Sequence, residues 1–183
     1  CSTLPIGGNQ IPSDIAIGLR TPISQAESIK KEFGRAVFPS DYPEHTIEVS
    51  SIGSDDARSI SACTLSRIIG ARVEETLQIA RRELVQSGMI DHLAAGVVLT
   101  GGSSKMEGVI DLAEEIFHAP VRLGLPQYVS GLSDVVSNPI HATGVGLLLF
   151  GNQHRNSGTS HIMKEGGFKG VLEQMKKWFQ GNF

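Results

Sequence analysis

The sequence contains few of the features that define disulfide-stabilised, membrane-spanning or metal-binding proteins. Two of its 183 residues are cysteine, Cys1 and Cys63, which is too few for a disulfide framework and favours a cytoplasmic protein with reduced thiols. No run of 18 or more apolar residues occurs, which excludes a bundle of membrane-spanning helices. The six histidines lack His-Glu-x-x-His or Cys-His spacing, and we therefore predict no metal site.

The composition is that of a glycine-rich α/β protein. Glycine accounts for 21 residues and hydrophobic residues for 40% of the chain, which is long enough to bury a sizeable core. The net charge of −3 provides no footprint for nucleic acid. The charge is uneven, because residues 164–183 carry four lysines against two glutamates. A basic end on an acidic chain points to a negatively charged partner.

Hydrophobic spacing and turn residues predict a mixture of helices and short strands. Strands are expected before Gly7 and at residues 36–38, 45–49, 58–61, 97–99 and 121–123, and helices at 24–33, 64–87, 104–118 and 144–150. Ser24 is expected to cap the first of these helices, and Ser104 with Glu107 has the spacing of a capping box. The apolar strand at 97–99 is expected to be buried on both faces.

Two Gly-Gly turns each precede a predicted helix: Gly7-Gly8 lies before a helix expected through residues 13–16, and Gly101-Gly102 lies before the helix expected at 104–118. Glycine has no side chain, so such a turn lets the backbone approach a ligand closely. One such turn is a weak signal, whereas two suggest a nucleotide cleft. The alternative is that both turns are purely structural and that the chain is a self-contained peptide-binding module.

The order of several motifs carries a family resemblance. They are Ile6-Gly7-Gly8-Asn9, Ser13-Asp14-Ile15-Ala16, residues 25–30, residues 92–102, Val121-Arg122-Leu123-Gly124, residues 144–148, and a polar segment followed by a basic, Trp-containing helix. Together they resemble the C-terminal part of the FtsA family of bacterial cell-division proteins, within the actin/Hsp70 ATPase superfamily. The resemblance implies an α/β, actin-like ATPase fold that holds ATP between two lobes, with this chain forming the second lobe only.

The resemblance also implies what this chain lacks. The chain opens on Cys1 rather than methionine, and we read it as a fragment. The first lobe, the phosphate-binding hairpins and the acidic residues that hold Mg²⁺ would lie upstream. No catalytic residue is therefore assigned, and the full-length parent is expected to have at most weak ATPase activity.

The implied domains follow the superfamily's plan. Residues 1–19 and 91–151 would form the large subdomain of the lobe, and residues 20–90 the inserted small subdomain that binds the filament partner. Residues 152–166 would be a flexible linker, and residues 167–183 a membrane-targeting amphipathic helix.

Six residues match the family's nucleotide site: Gly8, Glu27, Lys30, Gly101, Gly102 and Ser103. Gly8 would lie beside the phosphates, and Gly101 and Gly102 would let the backbone pack on adenine and ribose. Glu27 and Lys30 share one helical face, where they would accept from and donate to the adenosine. The alternative for this pair is an ordinary exposed helix pair. Lys105 is a weaker match to a basic residue over the adenine.

Two further sets of residues are assigned to partners. Arg72 and Glu75, on the long helix, are expected to contact the C-terminal peptide of the tubulin-like protein FtsZ; the alternative is that Arg72 is merely solvated. The apolar face of the terminal helix, with a flanking lysine, is expected to bind an anionic membrane surface. These residues are Phe168, Val171, Leu172, Met175, Lys176, Trp178 and Phe179.

The function implied is that of a scaffold that fastens FtsZ filaments to the cytoplasmic face of the inner membrane at the division site. It would bind ATP, polymerise with itself and contact other division proteins. The alternative is a sugar kinase or chaperone-type ATPase of the same superfamily. The basic terminal helix favours the tether, because kinases and chaperones of this fold need no such end.

Overall fold

The computed structural model describes residues 1–39, 45–50, 57–127 and 136–156, and it divides the chain into two compact units, Cys1–Ala142 and Thr143–Phe183. The elements of the first unit are α1 (Gln10–Leu19), α2 (Ile23–Phe33), β1 (Thr46–Ser50), β2 (Ala57–Ser61), α3 (Ala62–Gln86), β3 (Val97–Leu99), α4 (Val109–Phe117) and β4 (Val121–Leu123). Short 3-10 turns occur at Ile90–Ala95, Gly102–Lys105 and Pro139–His141. The first unit contains all the candidate site residues that the structure describes.

The strands form two small sheets with different topologies. β1 and β2 are antiparallel, with Ile47 opposite Ile60. β3 and β4 are parallel and are joined through α4, which makes a β-α-β unit. The amide of Gly124 donates to the carbonyl of Leu99 at 2.7 Å and extends this pairing beyond the strands. The 3-10 turn Gly102–Lys105 therefore follows the carboxyl end of a parallel strand, the edge at which α/β proteins place their ligands.

Buried apolar side chains from the four helices form one core, to which β1 adds Ile47 and Val49. Ile15 of α1, Leu65 and Ile69 of α3, and Ala113 of α4 are fully buried. Their helical spacing places them on the inward faces, because residues three and four apart share one side of a helix. Full burial of a leucine or isoleucine side chain contributes about 1.5–3 kcal/mol to folding stability. The packing of these side chains therefore holds in place the helices next to the candidate site.

Most predicted elements are confirmed. α2, β1, β2, α3, β3 and β4 lie within one or two residues of the predicted positions. The strand expected before Gly7 is wrong, because residues 1–6 form no strand. The strand expected at 36–38 is also wrong: the chain makes only an isolated bridge between Arg35 and Glu107.

Three local predictions about packing and caps are wrong. α2 follows Pro22, whose fixed φ suits the start of a helix, and Ser24 caps nothing. α4 begins only at Val109, after Gly108, while the hydroxyl of Ser104 donates to the carbonyl of Gly101 at 2.6 Å inside the 3-10 turn. β3 is not buried on both faces, because Val98 is 49% exposed.

The described part of the second unit is one helix, α5 (Ala142–Asn156), which begins at the last residue of the first unit. It is longer than predicted, so residues 152–156 of the expected linker are helical. Leu147, Leu148 and Phe150 are exposed. The seven predicted membrane-binding residues lie outside the described residues. Within the described ranges, no helix has the length and apolar character needed to cross a membrane. The domain boundaries at residues 20 and 90 stay predictions.

Candidate functional site

An open cleft of about 740 Å³ lies between α2 and the turn that follows β3. Glu27, Lys30 and Lys31 line it from α2. Residues 102, 103 and 105–107 line it from the turn, and Gly8 and Asn9 line it from the segment before α1. With Ile140, four stretches distant in sequence therefore meet in one concave surface, which is the usual form of a small-molecule site.

Five of the six predicted nucleotide residues line this cleft: Gly8, Glu27, Lys30, Gly102 and Ser103. Gly101 does not line it. Its φ of 97° lies in a region that residues with a side chain rarely adopt, so this glycine shapes the turn that presents the next two residues. The structure thus brings the predicted residues together, while their role in binding stays a prediction.

The Gly7-Gly8 turn touches the turn after β3. A Cβ atom on Gly8 would lie only 2.1 Å from the hydroxyl oxygen of Ser103, so a larger residue there would force Ser103 to rotate. Gly102 differs, because a Cβ atom there would meet Cγ1 of Ile140 at an ordinary 3.6 Å. A side chain at position 102 would therefore enter the cleft without disturbing the fold.

The charged groups on α2 form a compact network. Lys30 Nζ lies 2.7 Å from Glu27 Oε2, and Lys31 Nζ lies 3.4 Å from Oε1 of the same carboxylate. The hydrogen bond from Lys30 is the main cause that lowers the pKa of Glu27, with a smaller contribution from Lys31 against the opposing effect of desolvation. Glu27 is therefore ionised at neutral pH and presents acceptor oxygens beside two ammonium donors, a set that suits ribose hydroxyls.

Sequence reasoning missed six residues that line the cleft: Asn9, Lys31, Gly34, Met106, Glu107 and Ile140. Lys31 had a signal, since it lies four residues after Glu27 and so shares its helix face. Glu107 is brought in by a tertiary contact with Arg35, which no spacing reveals. Ile140 is 58% exposed in the 3-10 turn after Asn138, and it adds an apolar surface beside Gly102.

The two predicted partner residues lie together in a separate groove. Arg72 and Glu75 line a groove of about 430 Å³ with Asp14, Ile68 and Ala71. Arg72 makes ion pairs with both carboxylates, and its Nη2 donates to Asp14 Oδ1 at 2.9 Å. The hydrogen bond to Asp14 is the main cause that raises the pKa of Arg72. Arg72 thus joins α1 to α3 and is not merely solvated.

Comparisons with known sequences identify one family. The family model for "Cell division protein FtsA" matches residues 1–146. The cell division protein FtsA of Pseudomonas aeruginosa is 45% identical over the whole chain, and that of Neisseria meningitidis is 40% identical. The chain spans 45% of the length of each of these two relatives. The FtsA of Bacillus subtilis is 40% identical over 80% of the chain, which corresponds to 32% of that relative.

Solved structures show the same fold at low identity. MreB5 of Spiroplasma citri bound to ADP has a TM-score of 0.65 at 16% identity, over 84% of this chain and 46% of that one. The same protein bound to AMPPNP has a TM-score of 0.60, over 84% of this chain and 47% of that one. The likeness establishes part of an actin-like fold.

Proposed function

The chain belongs to the FtsA family of actin-like cell-division proteins, and from that premise we propose that its cleft binds the adenosine part of ATP in a scaffold that anchors FtsZ filaments to the membrane. The observation that supports nucleotide binding is the convergence of five predicted residues on one cleft. The MreB5 neighbours are bound to ADP and AMPPNP, which supports the same use of this fold. Family membership gives no support to the kinase or chaperone alternative.

Each wall of the cleft would recognise a different part of the nucleoside. Glu27 would accept hydrogen bonds from the ribose hydroxyls, and Lys30 would donate to adenosine. The bare backbone at Gly102 and the apolar side chain of Ile140 would pack against adenine. Gly8, in contact with Ser103, would lie towards the phosphates. Small-molecule pockets commonly combine a few polar groups that orient the ligand with an apolar surface, and here the polar groups would contact the ribose and the apolar surface the base.

The phosphates and Mg²⁺ would be held by the rest of the full-length protein. Glu27 is paired with two lysines and Glu107 with Arg35, so both carboxylates of the cleft are already neutralised. They do not form a Mg²⁺ site, which requires free oxygen ligands. We propose that a first lobe supplies these contacts, that the ATPase activity is weak at most, and that the nucleotide mainly supports self-association into filaments.

The anchoring role is proposed for two other regions. The groove with Arg72 and Glu75 offers Ile68 and Ala71 to the apolar residues of an FtsZ C-terminal peptide, and an acidic residue of the peptide would share the Arg72 guanidinium with Asp14 and Glu75. The terminal segment 167–183 would lie as an amphipathic helix on the cytoplasmic face of the inner membrane at the division site. Its apolar face would include Trp178, a residue type that suits the boundary between lipid headgroups and acyl chains.

Substitution of Gly102 by aspartate tests the nucleotide proposal. In the full-length protein, Gly102→Asp should weaken binding of a fluorescent ATP analogue by at least about tenfold, or about 1.4 kcal/mol, because the side chain would enter the space proposed for adenine and would add a negative charge to the cleft. Gly151→Asp is the matched control, since position 151 has open space and lies on α5. The chain by itself should bind ATP poorly. Equal affinity in wild type and Gly102→Asp would remove the adenosine assignment.

A further inference from the structure

The two walls of the cleft are joined by a contact that the nucleotide assignment does not use. α2 ends at Phe33, and the amide of Gly34 donates to the carbonyl of Lys30 at 3.0 Å. The chain then pairs at once with the opposite wall, because the amide of Ala36 donates to the carbonyl of Glu107 at 2.8 Å. Only three residues lie between Ser103 and Glu107, so a short stretch of chain links one wall of the cleft to the other.

Side chains reinforce this backbone bridge. The guanidinium of Arg35 forms an ion pair with the carboxylate of Glu107, and the Arg35 side chain is only 24% exposed. The hydroxyl of Ser66 on α3 donates to the carbonyl of Arg35 at 3.1 Å. Segment 34–37 is thus held from α3 on one side and from Glu107 on the other.

The backbone packing at this crossing is too tight for side chains. Gly108 has a φ of 80°, and a Cβ atom there would lie 2.7 Å from the amide nitrogen of Val37. On α3, a Cβ atom on Gly70 would lie 2.4 Å from the carbonyl oxygen of Ala36. Both neighbours are backbone atoms that cannot rotate away, so the crossing has one close-packed arrangement.

We propose that the ion pair of Arg35 with Glu107 is a latch that sets the separation of the two cleft walls, which makes Arg35 a positioning residue for nucleoside binding. The inference deepens the proposed function and rests on it. Arg35 does not line the cleft and would act through Glu107. Glu107 lines the cleft and follows closely after the turn that contains Gly102 and Ser103. Because the backbone crossing would stay in place, breaking the latch would let the two walls shift only slightly, which would weaken but not abolish the contacts that Glu27, Lys30 and Gly102 make with adenosine.

A double-mutant cycle in the full-length protein, with ADP as the probe, tests the latch. Arg35→Met and Glu107→Gln should each weaken ADP binding by about three- to tenfold. The double variant should bind ADP about as tightly as the weaker-binding single variant, because each change removes the same ion pair. The difference in ADP affinity between wild type and Arg35→Met should shrink as the salt concentration is raised, since part of the ion pair is exposed to solvent. Arg67→Met, an exposed arginine of α3, is the matched control and should bind ADP as wild type does.

Two readouts separate positioning from a merely structural role. The thermal midpoint without ligand should fall by only about 2–4 °C in Arg35→Met, as expected for loss of a partly exposed ion pair, and should stay near the wild-type value in Arg67→Met, while ADP affinity falls only in the former. The latch would be overturned by wild-type ADP affinity in Arg35→Met, by additive losses in the double variant, by a difference in affinity that does not depend on salt, or by a fall in the thermal midpoint well beyond that range. Absence of ADP binding by the wild-type protein would instead overturn the proposed function and the latch with it.

Discussion

The dual position of Arg72 leads to a prediction that separates a structural role from a partner-binding role. Arg72 on α3 holds Asp14 on α1 through two hydrogen bonds and also pairs with Glu75. The side chains of Arg72 and Asp14 are each 26% exposed. Arg72→Met removes both the ion pair and the cation. Asp14→Asn removes the carboxylate partner and leaves the cation in the groove.

The expected cost in stability follows from this geometry. Exposed ion pairs contribute about 0.2–1 kcal/mol, and a two-point arginine–carboxylate contact on a partly buried pair lies near the upper end, so each variant should lose about 1 kcal/mol. For a protein of this size that loss lowers the thermal midpoint by about 2–4 °C. The two variants should therefore look alike in thermal unfolding.

Binding of a labelled FtsZ C-terminal peptide should distinguish them. Arg72→Met should weaken the peptide by about fivefold, since an exposed pair with a peptide carboxylate contributes about 1 kcal/mol. Asp14→Asn should bind as tightly as wild type or more tightly, because Arg72 is freed from a competing carboxylate. Fluorescence anisotropy measures both affinities. If both variants lose peptide affinity equally, the effect is structural. If both bind the peptide as tightly as wild type does, the peptide binds elsewhere.

Two further predictions concern the membrane segment and the charge network of the cleft. Trp178→Glu, which puts a charge into the apolar face of the terminal segment, should abolish sedimentation with anionic vesicles; unchanged pelleting would mean that this segment is not the anchor. The pKa of Glu27 is lowered from its ordinary 4.5 in the folded state, so its contribution to stability is present above the unfolded pKa and is lost as the pH falls through the folded pKa. Lys30→Met should raise the NMR-measured pKa of Glu27 and reduce the loss of stability below about pH 4.5. An unchanged NMR titration midpoint for Glu27 would show that the hydrogen bond from Lys30 is not what lowers this pKa.

Sequence patterns predicted best where one local rule decides the outcome. The stripe that contains Leu65, Ile69 and Val73 predicted α3 almost to its ends, because its 25 residues provide many turns of consistent spacing. Ser104 and Glu107 were misread because capping-box spacing is satisfied by many short segments. In the fold, a glycine at a φ of 80° places the helix start at Val109, and the serine hydroxyl turns back to Gly101.

The candidate site was predicted in its residues but not in its connections. Glu27 and Lys30 are three residues apart on one helix, so their contact was available from the sequence. The pairs of Arg35 with Glu107 and of Arg72 with Asp14 span 72 and 58 residues. No local pattern encodes such pairs, because they depend on how α1, α3 and the turn after β3 pack together.

These internal ion pairs change what the cleft can contribute to binding. Glu27 is already held by Lys30 and Lys31, so a ribose hydroxyl would share an existing hydrogen-bonded network rather than satisfy an empty one. The net gain from each such contact is small, since a hydrogen bond exchanged on binding contributes only about 0.5–1.5 kcal/mol. The benefit of the pairs is that the side chains are ordered before the ligand arrives, which lowers the entropy lost on association. Adenosine alone should therefore bind weakly but in one orientation, and most of the affinity for ATP should come from contacts to its phosphates.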